Sequence, residues 1–339
     1  MILASCIRPA AGVRVGDNRA VLQIFAVTLP FFALIAAGYL AARRRLLPLE
    51  AIPGLNVFVL YFALPCMLYR FGAGTPIAQL LDVQVALVWG IAALLVVGVT
   101  IAVTRRGRIG WNDGAFGALV AAFPNTGFMG VPLLAALLGP RVAGPVIITM
   151  IFDMVVTSSL CIALSRLDGM GTAGAAQAVR QALRGVVRNP MPWAMLLGAA
   201  ASALQFRLPG PIDATLAMLA AAASPAALFT IGAVLGRSAL QAGPPGGSPA
   251  GDVLPVVLAK LVLHPLLVYG LARALGMLGW PLDPTALVAL VLVAALPSAS
   301  NVSMLAERFG ADNGRIARII LWTTVAAFFS FPLVTAALR

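Results

Sequence analysis

Charge is what this chain has least of. Only 10% of its 339 residues are Asp, Glu, Lys or Arg, against about 25% in soluble domains. Acidic residues number 11, and His264 is the sole histidine. So few ionisable groups leave little from which to assemble a hydrolase or a metalloenzyme. No G-x-S-x-G elbow, H-E-x-x-H pair, P-loop or aspartate-rich diphosphate site occurs, and no nucleophile and base are arranged around the one histidine. The three cysteines, Cys6, Cys66 and Cys161, are odd in number and scattered, which suggests neither a disulfide framework nor a metal site. No enzymatic activity, cofactor or metal is expected, and without a nucleotide motif the chain by itself is no ATP-driven pump.

What is present is hydrocarbon. Hydrophobic residues make up 61% of the chain, and the mean hydropathy is +1.00. This is the composition of an all-α integral membrane protein, with the lipid bilayer as its solvent. Ten apolar stretches are long enough to span a hydrocarbon core of ~30 Å at 1.5 Å per residue. They run over residues 21–41, 51–71, 82–104, 114–138, 142–165, 190–206, 212–236, 252–277, 284–308 and 314–338. The net charge of +12 would suggest nucleic acid in a soluble protein. Here it marks cytoplasmic loops instead, and no nucleic-acid partner is expected.

Those loops would hold Arg43, Arg44 and Arg45; Arg105, Arg106 and Arg108; Arg166, Arg180, Arg184 and Arg188; Arg237; and Arg308, Arg315 and Arg318. The arrangement places both termini outside the cytoplasm, in the inner (plasma) membrane. Residues 1–20 lack the apolar core and cleavage site of a signal peptide and are read as an N-terminal tail. Residues 21–165 form a first five-helix repeat. Residues 166–189 are a cytoplasmic linker, whose Arg180, Arg184 and Arg188 share one face of an amphipathic helix. Residues 190–339 form a second five-helix repeat.

The repeat rests on landmarks. Pro65 and Pro225 lie in the second and seventh spans, Pro124 and Pro297 in the fourth and ninth. Five spans per repeat insert the second copy upside down. The fourth span carries Pro124-Asn125-Thr126-Gly127-Phe128-Met129-Gly130-Val131-Pro132, and the ninth carries Pro297-Ser298-Ala299-Ser300-Asn301. Proline and glycine break a helix, and the backbone groups freed in a membrane need protein, water or solute as partners. Two broken spans in corresponding halves point to a transport site. Pro124, Asn125, Thr126, Gly127, Pro297, Ser298, Ser300 and Asn301 are its candidate substrate-binding residues. Each asparagine could instead cap its own break, and Ser298 and Ser300 could bond the preceding turn.

Ionisable groups inside the spans are the second signal, since each is costly unless paired or hydrated. Asp153 lies in the fifth span; Lys260 and His264 lie one turn apart in the eighth. Asp153 and Lys260 are expected either as an ion-coupling site or as a structural ion pair, and His264 as a packing residue.

The run Asn125 to Leu133 resembles the fourth-helix motif of the auxin efflux carrier family, which includes plant auxin carriers and bacterial malonate-transporter-like members. Phe32–Arg43 is similar to that family's first helix, Leu60–Met67 to its second, and Pro297–Asp312 to its ninth and the loop beyond. The resemblance extends over about residues 21–338. It implies two inverted five-helix repeats with crossing helices 4 and 9, a scaffold of helices 1, 2, 6 and 7, and an elevator motion of the crossing against that scaffold. It also implies substrate contact by Asn125 and Asn301. The long hydrophilic loop of many plant members is absent.

The expectation is a secondary or potential-driven carrier of small organic anions, such as malonate or auxin-like acids, with a proton or sodium as possible coupling ion. The alternatives are a sodium- or proton-coupled antiporter of the same architecture and a receptor or channel that does not transport. Whether it works as a homodimer is open.

Overall fold

A computed structural model describes residues 18–76, 82–105, 109–167, 177, 180, 184, 187, 190–241 and 250–338. The expected tail over residues 1–17, Arg188, and most of the Gly/Pro-rich loop after Gln241 lie outside the described residues.

The described chain is helical: α1 Asn18–Arg43, α2 Leu49–Ala73, α3 Val83–Thr104, α4 Trp111–Ala122, α5 Thr126–Leu138, α6 Ala143–Leu164, α7 Pro190–Ala203, α8 Gly210–Gln241, α9 Asp252–Met277, α10 Pro284–Ala295, α11 Asn301–Arg308 and α12 Asn313–Ala337. Seven of them are long and apolar enough to cross a membrane. The expected fourth and ninth spans appear instead as the shorter pairs α4–α5 and α10–α11, because each is interrupted at its proline. At Arg180 and Arg184 the linker is helical and exposed.

α3 is apolar on every face. On α3, Val85, Val88, Trp89, Ala92 and Val96 are buried, while Leu87, Ile91, Leu94, Leu95 and Val103 are exposed. A water-facing helix would carry polar residues there; lipid is the solvent that suits this one.

Four helices form one group: α1 packs along α8, α7 packs on α2, and α2 packs on α8. Two close crossings hold it together. A Cβ on Gly38 would stand 1.9 Å from the Phe229 carbonyl oxygen, and one on Gly232 would stand 1.9 Å from that of Ile35. At the α2–α7 crossing, a Cβ on Gly198 would stand 2.4 Å from the Tyr69 oxygen, and one on Gly72 would stand 3.0 Å from that of Met195. Without side chains the backbones meet directly, which is how helices associate in lipid.

The remaining helices surround α4–α5 and α10–α11. Their arginine-rich end is tied by Arg315, expected in a cytoplasmic loop but buried in the first turn of α12. Its guanidinium donates to the Asp113 carbonyl at 2.9 Å and the Asp252 carbonyl at 3.3 Å, so the starts of α4, α9 and α12 converge on one cation. Gly117 leaves room for it, since a Cβ there would stand 2.9 Å from Nη1.

Candidate functional site

The two interruptions meet. Asn125 N–H donates to the Pro297 carbonyl at 2.8 Å, and Ala299 N–H donates to the Phe123 carbonyl at 3.0 Å. Pro124 and Ser298 thereby form an antiparallel bridge, isolated from any strand. Two carbonyls at the breaks, those of Phe123 and Pro297, are thus satisfied by the other break, which answers part of the demand a membrane places on freed backbone groups. Ser298 N–H goes to Thr323 Oγ1 of α12 at 3.2 Å. Gly130 clears a path for Leu296, whose Cδ1 would be 2.7 Å from a Cβ there.

Beyond the join the chain resumes as a wide π-helical turn, Thr126–Gly130, whose Met129 and Gly130 N–H groups both donate to the Asn125 carbonyl. Other π turns fall at Val59–Ala63, Asp153–Thr157 and Ala259–Leu263. Such turns displace side chains from regular helical register and recur at functional sites.

Asn125 is only 3% exposed, yet its side chain does not cap the break, and its Oδ1 has no hydrogen-bond partner. Capping, the alternative reading of this residue, is not realised. Asn301 opens α11 with no capping partner at Ser300, and its Oδ1 is likewise unpartnered. Both asparagines line one cavity with Pro124, Thr126 and Gly127. Leu64 of α2 and Met191 of α7 close it from the four-helix group, and Met150 and Met154 of α6 from the other side. Its volume, about 20 Å³, admits a water molecule and nothing larger.

Three candidates stand apart from that cavity lining. Pro297 and Ser298 are buried in the join, with Ser298 Oγ unpartnered. Ser300 accepts from Ser303 Oγ through its carbonyl at 2.9 Å.

Asp153 and Lys260 are both wholly buried, but the direct ion pair is not formed. Among the described residues the one ion pair joins Arg70 and Asp213, within the four-helix group. Asp153 Oδ1 instead accepts from Trp89 Nε1 at 3.1 Å and Thr157 Oγ1 at 2.9 Å. The Lys260 ammonium donates to the Ala294 carbonyl at 2.7 Å and lies 3.4 Å from His264 Nδ1. The reason is competition: the C-terminal carbonyls of α10 have lost their helical partners at the break and attract a cation. Trp89 spans the gap, its ring 5.0 Å from that of His264. The sequence marked His264 as packing alone; its contact with Lys260 puts it in the polar cluster.

Trp89→Phe removes one donor from a buried carboxylate, an interaction worth about 1.5–3 kcal/mol. The variant is expected to melt several degrees lower in detergent, as followed by intrinsic fluorescence or light scattering.

A helical chain with seven helices long and apolar enough to cross a membrane, and two interrupted helices joined beside a small cavity lined by two asparagines, has the build of a membrane transporter. The chain belongs to the membrane transport protein family, the group of the auxin efflux carriers: the family model matches residues 23–335. It is 32% identical over 306 residues to the "Putative malonate transporter" of Rhizobium meliloti (strain 1021), covering 89% of this chain and 92% of that one. It is 24% identical over 287 residues to the "Uncharacterized transporter YfdV" of Escherichia coli (strain K12), covering 83% and 87%. Auxin efflux carrier component 8 of Arabidopsis thaliana matches at 23% over 375 residues, covering 92% and 98%.

Proposed function

We propose that the protein carries small carboxylates, malonate among them, across the inner membrane by alternating access, with the crossing as its substrate seat. The observation that carries this reading is the pair of asparagines, Asn125 and Asn301, converging on one cavity with the Oδ1 of each side-chain amide unpartnered in the protein. Neutral amides donate to a carboxylate without a fixed charge that would hold it too tightly. The half-helices that begin beside them, α5 and α11, add partial positive charge. Thr126, Gly127 and the join through Pro124, Pro297 and Ser298 frame the seat. Ser300 belongs to its edge. The name of the Rhizobium relative supports malonate as the first substrate to try.

The mechanism is an elevator. α1, α2, α7 and α8 form the scaffold, and the remaining helices carry the crossing against it. The cavity lies on the boundary, with Leu64 and Met191 on the scaffold side, and its small size means that the two groups must part to admit a carboxylate.

The architecture is two inverted repeats, residues 21–165 and 190–339, with both termini outside. Gly38 corresponds to Gly198, Pro65 to Pro225 and Gly72 to Gly232, all at one constant offset in sequence. The Gly38–Gly232 crossing of α1 on α8 is then the counterpart of the Gly198–Gly72 crossing of α7 on α2.

Counterflow in proteoliposomes tests the function. Vesicles loaded with unlabelled malonate are expected to accumulate labelled malonate transiently and saturably. Sodium or proton flux without any carboxylate dependence would replace this reading with an antiporter.

A further inference from the structure

Asp153, Lys260 and His264 expose no surface, yet they sit within a turn of the crossing. Met150 and Met154, on either side of Asp153, line the cavity, and the carbonyl that Lys260 holds is three residues before Pro297. The cluster rests on α3, α6, α9 and α10, and none of its members belongs to α1, α2, α7 or α8. Under the elevator reading it travels with the substrate, and its charge has to be balanced in both the loaded and the empty journeys.

The charges around Asp153 are few. Among the described residues its titratable neighbours are Lys260 on α9 and Cys161 on its own helix. α3 presents the neutral Trp89 indole. His264 stands beyond Lys260, and the ring also interacts with the Ala121 carbonyl at the end of α4, without a close hydrogen bond to Nε2. With Lys260 an ammonium, His264 Nδ1 would be the acceptor in their 3.4 Å contact and the ring neutral. Asp153 Oδ1 is occupied by two donors, whereas Oδ2 is buried and has none.

With Asp153 ionised and Lys260 an ammonium, the empty carrier group is neutral in the membrane. A carboxylate monoanion bound at the crossing leaves one negative charge in excess, which costs several kcal/mol in hydrocarbon. A proton taken up together with the anion restores neutrality, and Oδ2 is the open atom that can receive it: one O–H bond forms on Asp153 as one breaks in the hydronium that delivers the proton. The Lys260 ammonium stays on the α10 terminus throughout as the fixed countercharge.

We propose, resting on the anion-carrier reading above, that Asp153 binds the coupling proton of a one-to-one proton–carboxylate monoanion symport. Both the empty carrier and the doubly loaded carrier then cross without net charge, and the anion-only carrier does not.

The test uses the full chain in sodium-free proteoliposomes with labelled malonate, at an external pH between its two carboxyl pKa values, where the monoanion predominates. For the wild type, an inward proton gradient alone is expected to drive accumulation, and uptake of the monoanion is expected to generate no current on a solid-supported membrane. Asp153→Asn fixes the cluster in its protonated charge. Net proton-driven uptake is expected to fall by at least about tenfold, the equivalent of ~1.4 kcal/mol, while exchange of external for internal malonate persists. Three results overturn the proton site: a wild-type current carried by the monoanion, accumulation that requires sodium, or proton-driven uptake unchanged in the variant. The wild-type current decides the matter even where the variant does not fold. Absence of any malonate exchange in the wild type sinks the carrier reading itself, which is a separate and distinguishable failure.

Discussion

Asn125→Ala is expected to reduce malonate exchange by about ten- to a hundredfold, while the protein inserts and purifies as the parent does. A hydrogen bond to a charged group contributes about 1.5–3 kcal/mol, and each ~1.4 kcal/mol is a factor of ten. The side chain bonds to nothing in the protein, so its removal takes little from the fold. The N–H bond from residue 125 to the Pro297 carbonyl belongs to the main chain and is retained. Counterflow in proteoliposomes, beside a size-exclusion profile in detergent, separates the two effects. Exchange at the parent rate would remove Asn125 from the substrate seat.

Gly232→Ala is expected to act in the opposite way, on assembly before transport. Its added methyl would stand 1.9 Å from the Ile35 carbonyl oxygen and 2.8 Å from the Tyr39 nitrogen, both backbone atoms. No rotamer change relieves such a contact, so α1 and α8 must separate. Overpacking costs about 1–3 kcal/mol, and more where backbone has to move. A fall in melting temperature of roughly 2–5 °C follows from the usual scaling for a chain of this length. Gly270→Ala is the control, since a Cβ there meets nothing within 4 Å. Equal melting of the two variants would show that α1 and α8 are not held by this crossing.

How much of this could be read from the chain depends on which atoms carry it. The interruptions at Pro124 and Pro297 were legible, because proline and glycine announce a broken helix inside an apolar run. That the breaks bond to each other was not, because the bonds are made by N–H and C=O groups that every residue has. Asp153 and Lys260 stood out as charges in hydrocarbon, and their burial agrees with that. Their partners did not stand out: an indole from α3 and a carbonyl orphaned by the α10 break intervene between them. Arg315 looked like one more loop arginine, and only the convergence of three helix starts buries it. The glycines of the α1–α8 and α2–α7 crossings carried a signal that was available, a shared spacing from Pro65 and Pro225, but in sequence they are indistinguishable from the other small residues of an alanine-rich chain.

The join between Pro124 and Ser298 is written entirely in main-chain atoms. Side-chain replacements around it leave those two bonds in place, while Thr323 Oγ1 and the Lys260 ammonium hold the neighbouring Ser298 N–H and Ala294 carbonyl. If the cavity is the substrate seat proposed above, change at residues that face it, Met150, Met154 and Met191 among them, shifts what is carried while the backbone join is retained. Under the proposed reading, selectivity belongs to side chains at the cavity wall and architecture to the backbone bonds beneath it.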